Sequence, residues 1–427
     1  MQSRSLGLIG TMSIGIGGIV GGGIFATLGL AGEQARGATT ISFLIGCLVA
    51  LCTAYSYVKL SIAYPSKGGT VTFLNEAFGE SLLAGSCNTM LVASYVALIA
   101  VYASAFATYG AILFPAETRP FWQSALANVI LVSLAFVNFL GPGLVDRSEG
   151  LFNVGKLGIL ALFVLVGLFA GDLDLARLGP ANWVGPADIV AGGMLVFISY
   201  EGFELIANAS DRVKNREVTL PRAYYGSVLG AMVFYIFIIV VAFGHLSFEQ
   251  LAAARDYSLA AAAREFMGET GFVILALGAM LATASAVNSD FFGASKLPVA
   301  MAEEGEFPRR YDREVWGRHP MGLALISVLA LLSVNMLNLH ALSAAASAGF
   351  LMVFAMVNFA NAKLAVKTGS KRWLCVVAGV LCLTALAIMI VQMARDPDHG
   401  AEVWCIVALA VAPFCYQMVY RRLKQKR

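Results

Sequence analysis

Residues 15–25 read Gly15-Ile16-Gly17-Gly18-Ile19-Val20-Gly21-Gly22-Gly23-Ile24-Phe25, inside an otherwise apolar run that starts near Leu6. Six glycines within nine residues are a poor recipe for a plain helix, since each costs about 1 kcal/mol relative to alanine in a helix interior. The run is nevertheless far too apolar for a surface loop. A second long apolar segment has a similar fault at its middle, Tyr200-Glu201-Gly202-Phe203-Glu204. Paired interruptions at corresponding places in two halves of a membrane chain point to discontinuous helices around a ligand site.

Composition supports a membrane reading. Of 427 residues, 59% are hydrophobic and only 13% are charged, against about 25% charged in soluble domains. A span needs about 20 apolar residues, so the chain can supply twelve with short connections. The spacing predicts spans at 6–31, 38–62, 82–114, 121–140, 148–171, 187–209, 222–245, 271–297, 320–337, 341–366, 373–393 and 401–420. Lipid leaves no partner for unpaired backbone groups, so these runs must be helices. The stretch 247–268 reads as an amphipathic surface helix. The interrupted spans are the first and sixth. The halves are spans 1–5 (1–172) and 6–10 (187–367), inverted because five is odd; 372–427 holds spans 11 and 12 and a basic tail.

Charge distribution gives the orientation. On this map 22 of the 29 Lys and Arg residues lie on the side shared by both termini. The other side has Arg36, Arg119, Arg177, Arg255, Arg264 and Arg395, and Lys156 falls inside span 5. The positive-inside rule therefore expects both termini in the cytoplasm. The seven cysteines show no metal-like spacing and read as small hydrophobes. The four histidines, His245, His319, His340 and His399, fall at or near loops. No zinc spacing, nucleophile elbow or phosphate loop is present, so an enzyme is not expected.

Four features could carry chemistry. The Gly21–Gly23 turn can expose backbone N–H groups, and the following half-helix favours an anion such as a carboxylate; close helix packing through small residues explains it equally well. Lys156 is costly in a membrane and can give up its proton when buried. Glu201 sits at the second interruption, where it could meet an ammonium group or take up a proton, and Glu204 suits the start of the next half-helix as a cap. Thr283 and Ser285, with Asn288 and Asp290 following, could hold a small cation or bond their own helix. Asp290 could pair with Lys296.

These residues resemble the amino acid–polyamine–organocation superfamily of secondary transporters. The likeness rests on Gly21-Gly22-Gly23-Ile24-Phe25, Tyr64-Pro65-Ser66-Lys67-Gly68-Gly69 with Ala77-Phe78-Gly79, and Asn138 to Gly141 leading to Lys156-Leu157. It also rests on Tyr200 to Glu204 with Asn208, on Lys214-Asn215 with Pro221-Arg222-Ala223, and on Met301 to Pro308. It covers nearly the whole chain, spans 11 and 12 least. The resemblance implies a LeuT-type fold of five-plus-five inverted repeats, with an amino acid held between the breaks of spans 1 and 6. On that likeness the substrate residues are Gly18, Gly21, Gly22, Gly23, Ile198, Tyr200, Glu201 and Phe203. It further implies that Lys156 takes the place of a sodium ion, with Gly17 and a span 8 hydroxyl, Thr283 or Ser285, as neighbours. Two departures stand out: Gly22 and Gly23 replace the usual small or hydroxyl residue of the turn, and Glu201 is acidic where many relatives are uncharged.

The expectation is a proton-coupled amino acid permease of a prokaryotic inner membrane, working by alternating access, with no cofactor beyond the proton. Its partners would be an amino acid and the lipid bilayer, with no nucleic acid, and the chain a monomer or weak oligomer. A cationic amino acid or polyamine exchanger using Glu201 is the alternative. A membrane sensor that binds a ligand without moving it is a third class.

Overall fold

The structure is a computed structural model that describes residues 6–66, 68–140, 142–171, 173–313, 320–395 and 400–425. Lys67, Gly141, His319, His399 and the basic residues Arg4, Arg318, Lys426 and Arg427 lie outside the described residues. The helices in chain order are α1 (Leu8–Ile19), α2 (Gly23–Ala35), α3 (Thr39–Ala63), α4 (Thr70–Phe78), α5 (Leu82–Ala111), α6 (Arg119–Leu140), α7 (Pro142–Phe169), α8 (Pro186–Leu195) and α9 (Arg216–His245). They continue as α10 (Phe248–Ala253), α11 (Ser258–Ala294), α12 (Leu297–Glu303), α13 (Pro320–Met336), α14 (Leu339–Lys363), α15 (Ala365–Thr368), α16 (Arg372–Arg395) and α17 (Gly400–Gln425). No strand occurs among the described residues, only two isolated β-bridges.

Among the described residues, nine helices are long and apolar enough to cross a membrane. Two further pairs qualify together but are bent: α1 with α2 by 46°, and α8 with the stretch Phe197–Arg212, two 3₁₀ segments in succession, by 50°. These are the two segments whose glycines and central polar residues mark them as poor straight helices. The helix α13 is apolar but shorter, 17 residues.

Burial sorts the bundle into inside and outside. The apolar stretch of α5 is 89% buried, while that of the segment Ala116–Leu140 is 11% buried and that of Glu402–Gln425 17%. Helix α5 is therefore the central post. The outer faces of α6 and α9 present Val129, Val132 and Phe136, and Leu229, Val233 and Phe237, to the surroundings. Apolar stripes that large are unsuited to water and fit lipid. Helix ends are closed locally: Ser81 accepts from Ala84 N at 3.1 Å and Asn338 from Ala341 N at 2.7 Å.

The 247–268 stretch departs from the single surface helix expected. It forms α10, capped reciprocally by Ser247 and Gln250, then a 3₁₀ turn Arg255–Tyr257 and the first part of α11, which bends at Gly268 (φ 65°). Leu259, Ala260, Ala262 and Ala263 are buried. The cause is close docking on α2, where Gly29 faces the Arg255 backbone with no room for a Cβ.

Candidate functional site

The two bent spans touch at their breaks. Helix α1 ends at Ile19, and the chain passes through Val20, Gly21 and Gly22 into α2. In the other span a short 3₁₀ turn, Phe197–Tyr200, gives way at Glu201 and Gly202 to a second 3₁₀ segment, Phe203–Arg212. Gly202 adopts φ 113°, a conformation that glycine takes without strain. A Cβ at Gly18 would lie 2.8 Å from the Gly202 Cα, and a Cβ at Gly23 2.7 Å from the Ser199 Cα. A Cβ at Gly22 would lie 2.6 Å from the Tyr102 ring on α5. The glycines thus bring backbone against backbone. None of Gly21, Gly22 and Gly23 has a positive φ, so close approach, not an unusual torsion, explains the run.

A bent helix leaves carbonyls and N–H groups without partners at each break. Tyr235 on α9 donates its hydroxyl toward Ile19 O at 2.7 Å and Ser199 O at 2.8 Å. One proton is shared by two carbonyls, one from each broken span. Ser199 and Thr27 add a hydroxyl pair at 2.8 Å across the same junction. Glu204 caps the second half of its span: Oε2 accepts from Gly202 N at 2.8 Å, and Oε1 accepts from the Tyr95 hydroxyl at 3.0 Å. The sequence reading assigned Glu204 that capping role. It missed Tyr235 and Tyr95, because a tyrosine in an apolar helix gives no sign of what its hydroxyl meets.

Each expected site residue has a definite place. Ile198, Tyr200 and Phe203 are fully buried. The Tyr200 ring packs edge-on against Phe43 and Tyr235, and its hydroxyl has no hydrogen-bond partner. Phe203 points into an aromatic cluster with Tyr57, Tyr224 and Phe354. Glu201 is 2% exposed, and neither carboxyl oxygen has a hydrogen-bond partner. It lies within Coulombic reach of Glu204 and Asp290.

Lys156 on α7 is 1% exposed, and its Nζ donates to Gly17 O at 2.8 Å, next to the break of the first span. Gly17 itself faces the Asn153 amide. Thr283 is buried but spends its hydroxyl on its own helix, on Ala279 O at 2.7 Å and Met280 O at 3.2 Å. Ser285 is 4% exposed on the same helix. Asp290 is buried within Coulombic reach of Lys156 and Glu204, with Oδ2 unpartnered. The Lys296 ammonium lies 3.4 Å from the centre of the Phe292 ring. Among the described residues no group of three or more His, Cys, Asp or Glu could hold a metal ion, and all seven cysteines are free.

The arrangement has two buried helix breaks packed against each other, a buried lysine beside one and a buried carboxylate at the other. Comparison with known proteins identifies the family. The amino acid permease family matches residues 6–413. The chain is 29% identical to the inner membrane transport protein YbaT of Escherichia coli, covering 99% of this chain and 97% of that one. It is 27% identical to an uncharacterized protein of Methanocaldococcus jannaschii over 100% of this chain and 97% of the relative. It is 23% identical to the branched-chain amino acid permease BcaP of Bacillus subtilis over 99% and 95%. The family and the relatives named for a function are transporters and not enzymes, the helices are those of a multi-pass membrane protein, and the chain belongs to the amino acid permease family.

Proposed function

We propose that this permease carries an amino acid by alternating access, coupled to a proton held at Lys156, in the cytoplasmic membrane of a prokaryote. The observation that carries the reading is the Lys156 Nζ on Gly17 O beside the junction of the two broken spans. A buried ammonium there stabilises the break of the first span, and loss of its proton weakens the hold on that carbonyl by removing the charge from the donor. Charge state and backbone geometry are thereby linked, which is what coupling requires. The substrate carboxylate sits at the first N–H groups of α2, which have no partner further back in their own helix. Residues 1–172 and 187–367 act as two inverted five-helix repeats, 372–427 adds spans 11 and 12, and both termini face the cytoplasm. The chain works as a monomer or weak oligomer, with the proton as its only coupling ion.

The test is uptake into proteoliposomes. Lys156→Ala is expected to abolish uptake driven by a pH gradient while some substrate binding remains, and the wild type is expected to work without sodium. Wild-type uptake in the variant, still driven by the pH gradient, refutes the role of Lys156, and a strict sodium requirement does the same.

A cationic substrate is the second reading. Glu201, buried with both oxygens unpartnered, favours it. A buried carboxylate must be protonated, hydrated or paired, and a second ammonium group on the substrate would pair it.

A further inference from the structure

The basic end of the bundle holds a buried carboxyl that the transport reading does not use. Glu306, in the loop after α12, is 1% exposed. Its Oε2 accepts from Asn88 Nδ2 on α5 at 2.7 Å, and the same amide nitrogen donates to Asn75 Oδ1 on α4 at 3.2 Å. Three successive carbonyls of this loop are gripped by one face of α17. Lys424 Nζ donates to Gly305 O at 3.0 Å, Gln417 Nε2 to Glu306 O at 3.0 Å, and the Tyr420 hydroxyl to Phe307 O at 2.7 Å. The donors lie at positions i, i+3 and i+7, one side of a helix. Gln417 also donates to Thr89 Oγ1 on α5 at 2.9 Å. Loop, α17 and α5 form one clasp, and through α12 it holds the end of α11, the helix of Thr283 and Ser285.

We propose that Glu306 is a proton-binding site and that its protonation tightens this clasp. The Glu306 Oε1, Asn88 Oδ1 and Gln417 Oε1 atoms are buried acceptors with no donor. One proton on Glu306 removes a charge held almost out of water beside a single side-chain amide donor. The heavy atoms already suit the protonated state. With the Asn88 and Asn75 amides turned over, a Glu306 hydroxyl donates to Asn88 Oδ1 and Asn75 Nδ2 donates to that oxygen too, so the same two contacts serve the neutral acid with no loss of hydrogen bonds. Ionised, the same carboxylate sits almost out of water with one side-chain donor, which favours opening the clasp to hydrate it.

The charged and titratable groups facing it are Arg421 of α17, Glu80 after α4, Glu304 in its own loop, and Cys87 of α5. Burial pushes the carboxyl from the ordinary 4.5 up to about 6, against the pull of the Asn88 hydrogen bond and Arg421 and with the push of Glu304 and Glu80. A raised carboxyl value means that the closed form holds the proton more tightly than the open one. Closure is therefore strongest below pH 4.5 and loses that advantage as pH rises to about 6.

Hydrogen exchange of the purified protein in nanodiscs tests the proposal, following 299–311 and 414–425 and correcting for intrinsic rates. Taking 4.5 and about 6 for the open and closed forms, protection should be about eightfold higher at pH 5 than at pH 7.5. Glu306→Gln, neutral at every pH and of the same shape, should show high protection with no step. Gln417→Ala should lower protection at both pH values and keep the step. A flat wild-type profile overturns the proposal, as does a step that survives in Glu306→Gln. Should that variant not fold, the wild-type profile alone decides.

Discussion

Tyr235 shows how one hydroxyl can serve two elements. Its neighbours Ile19 O and Ser199 O belong to different broken spans, and both come within 2.8 Å of the same oxygen. Removing the hydroxyl leaves two buried carbonyls without this donor, at about 1–3 kcal/mol for each group that water does not reach. Tyr235→Phe, which keeps the ring against Phe43 and Tyr200, should therefore fold, melt several degrees lower and transport more slowly. An unchanged melting point and rate would show that the junction holds without it. Glu201 makes a separate prediction. An ionised Glu201 should favour cationic ligands, so Glu201→Gln should weaken lysine or putrescine far more than alanine or leucine in a competition assay. A protonated Glu201 should show the reverse preference, neutral amino acids first. Identical selectivity in the two proteins would make the residue structural. The sequence marked Glu201 and Lys156 because an ionisable side chain in an apolar run is conspicuous. It could not mark Tyr235, whose identity suits any buried position.

The segment Phe203–Arg212 behaves as an element with its own rule. Ten residues is long for a 3₁₀ helix, which rarely exceeds three or four. Its burial follows the three-residue turn: Leu205, Asn208 and Asp211 are the partly exposed positions, and the pairs between them are buried. An i, i+3, i+6 stripe also fits one side of an α-helix, so the polar break was legible in the sequence and the kind of helix beyond it was not. Gly202 fixes the entry to this segment by its positive φ and its contact with the Gly18 backbone. Gly202→Ala adds backbone strain and a collision with main chain that cannot swing aside. The cost should be about 3 kcal/mol or more, seen as loss of folded protein in a thermal-shift assay. Gly79 is the control. Its φ is 64°, but a Cβ there would meet nothing within 4 Å. Gly79→Ala should cost about 1–3 kcal/mol from strain alone, because φ 64° with ψ −169° is almost confined to glycine, and leave transport unchanged. Equal losses at the two positions would show that torsion, not the touching breaks, makes Gly202 necessary.

Across the whole molecule, the six basic residues of the sparse side gather at one end. Arg36 bridges to Trp183, Arg177 ion-pairs with Asp174, and Arg255 pairs with Glu33. Arg119 shares a pocket with Arg255, and Arg395 bonds Gln392, which reaches Asp188. The opposite end holds Arg216 on the Ser210 carbonyl, Arg421 on the Glu80 and Ser81 carbonyls, and Lys424 on Gly305. Hydropathy and charge alone separate these ends, because insertion acts on whole segments and their flanks. The contacts between distant segments, such as α17 gripping the loop after α12, depend on packing that no local pattern records. Orientation can be tested with two exposed positions in a cysteine-free background. Asp174→Cys lies at the sparse end, where the exposed ion pair it removes is worth little. Lys371→Cys lies at the basic end, in the turn before α16. If the basic end faces the cytoplasm, an impermeant maleimide should label Asp174→Cys in intact cells, and Lys371→Cys only in inverted vesicles or after permeabilisation. The reverse pattern would invert the molecule. It would put the buried carboxyl of Glu306 on the outer face, where external rather than internal pH would set its charge.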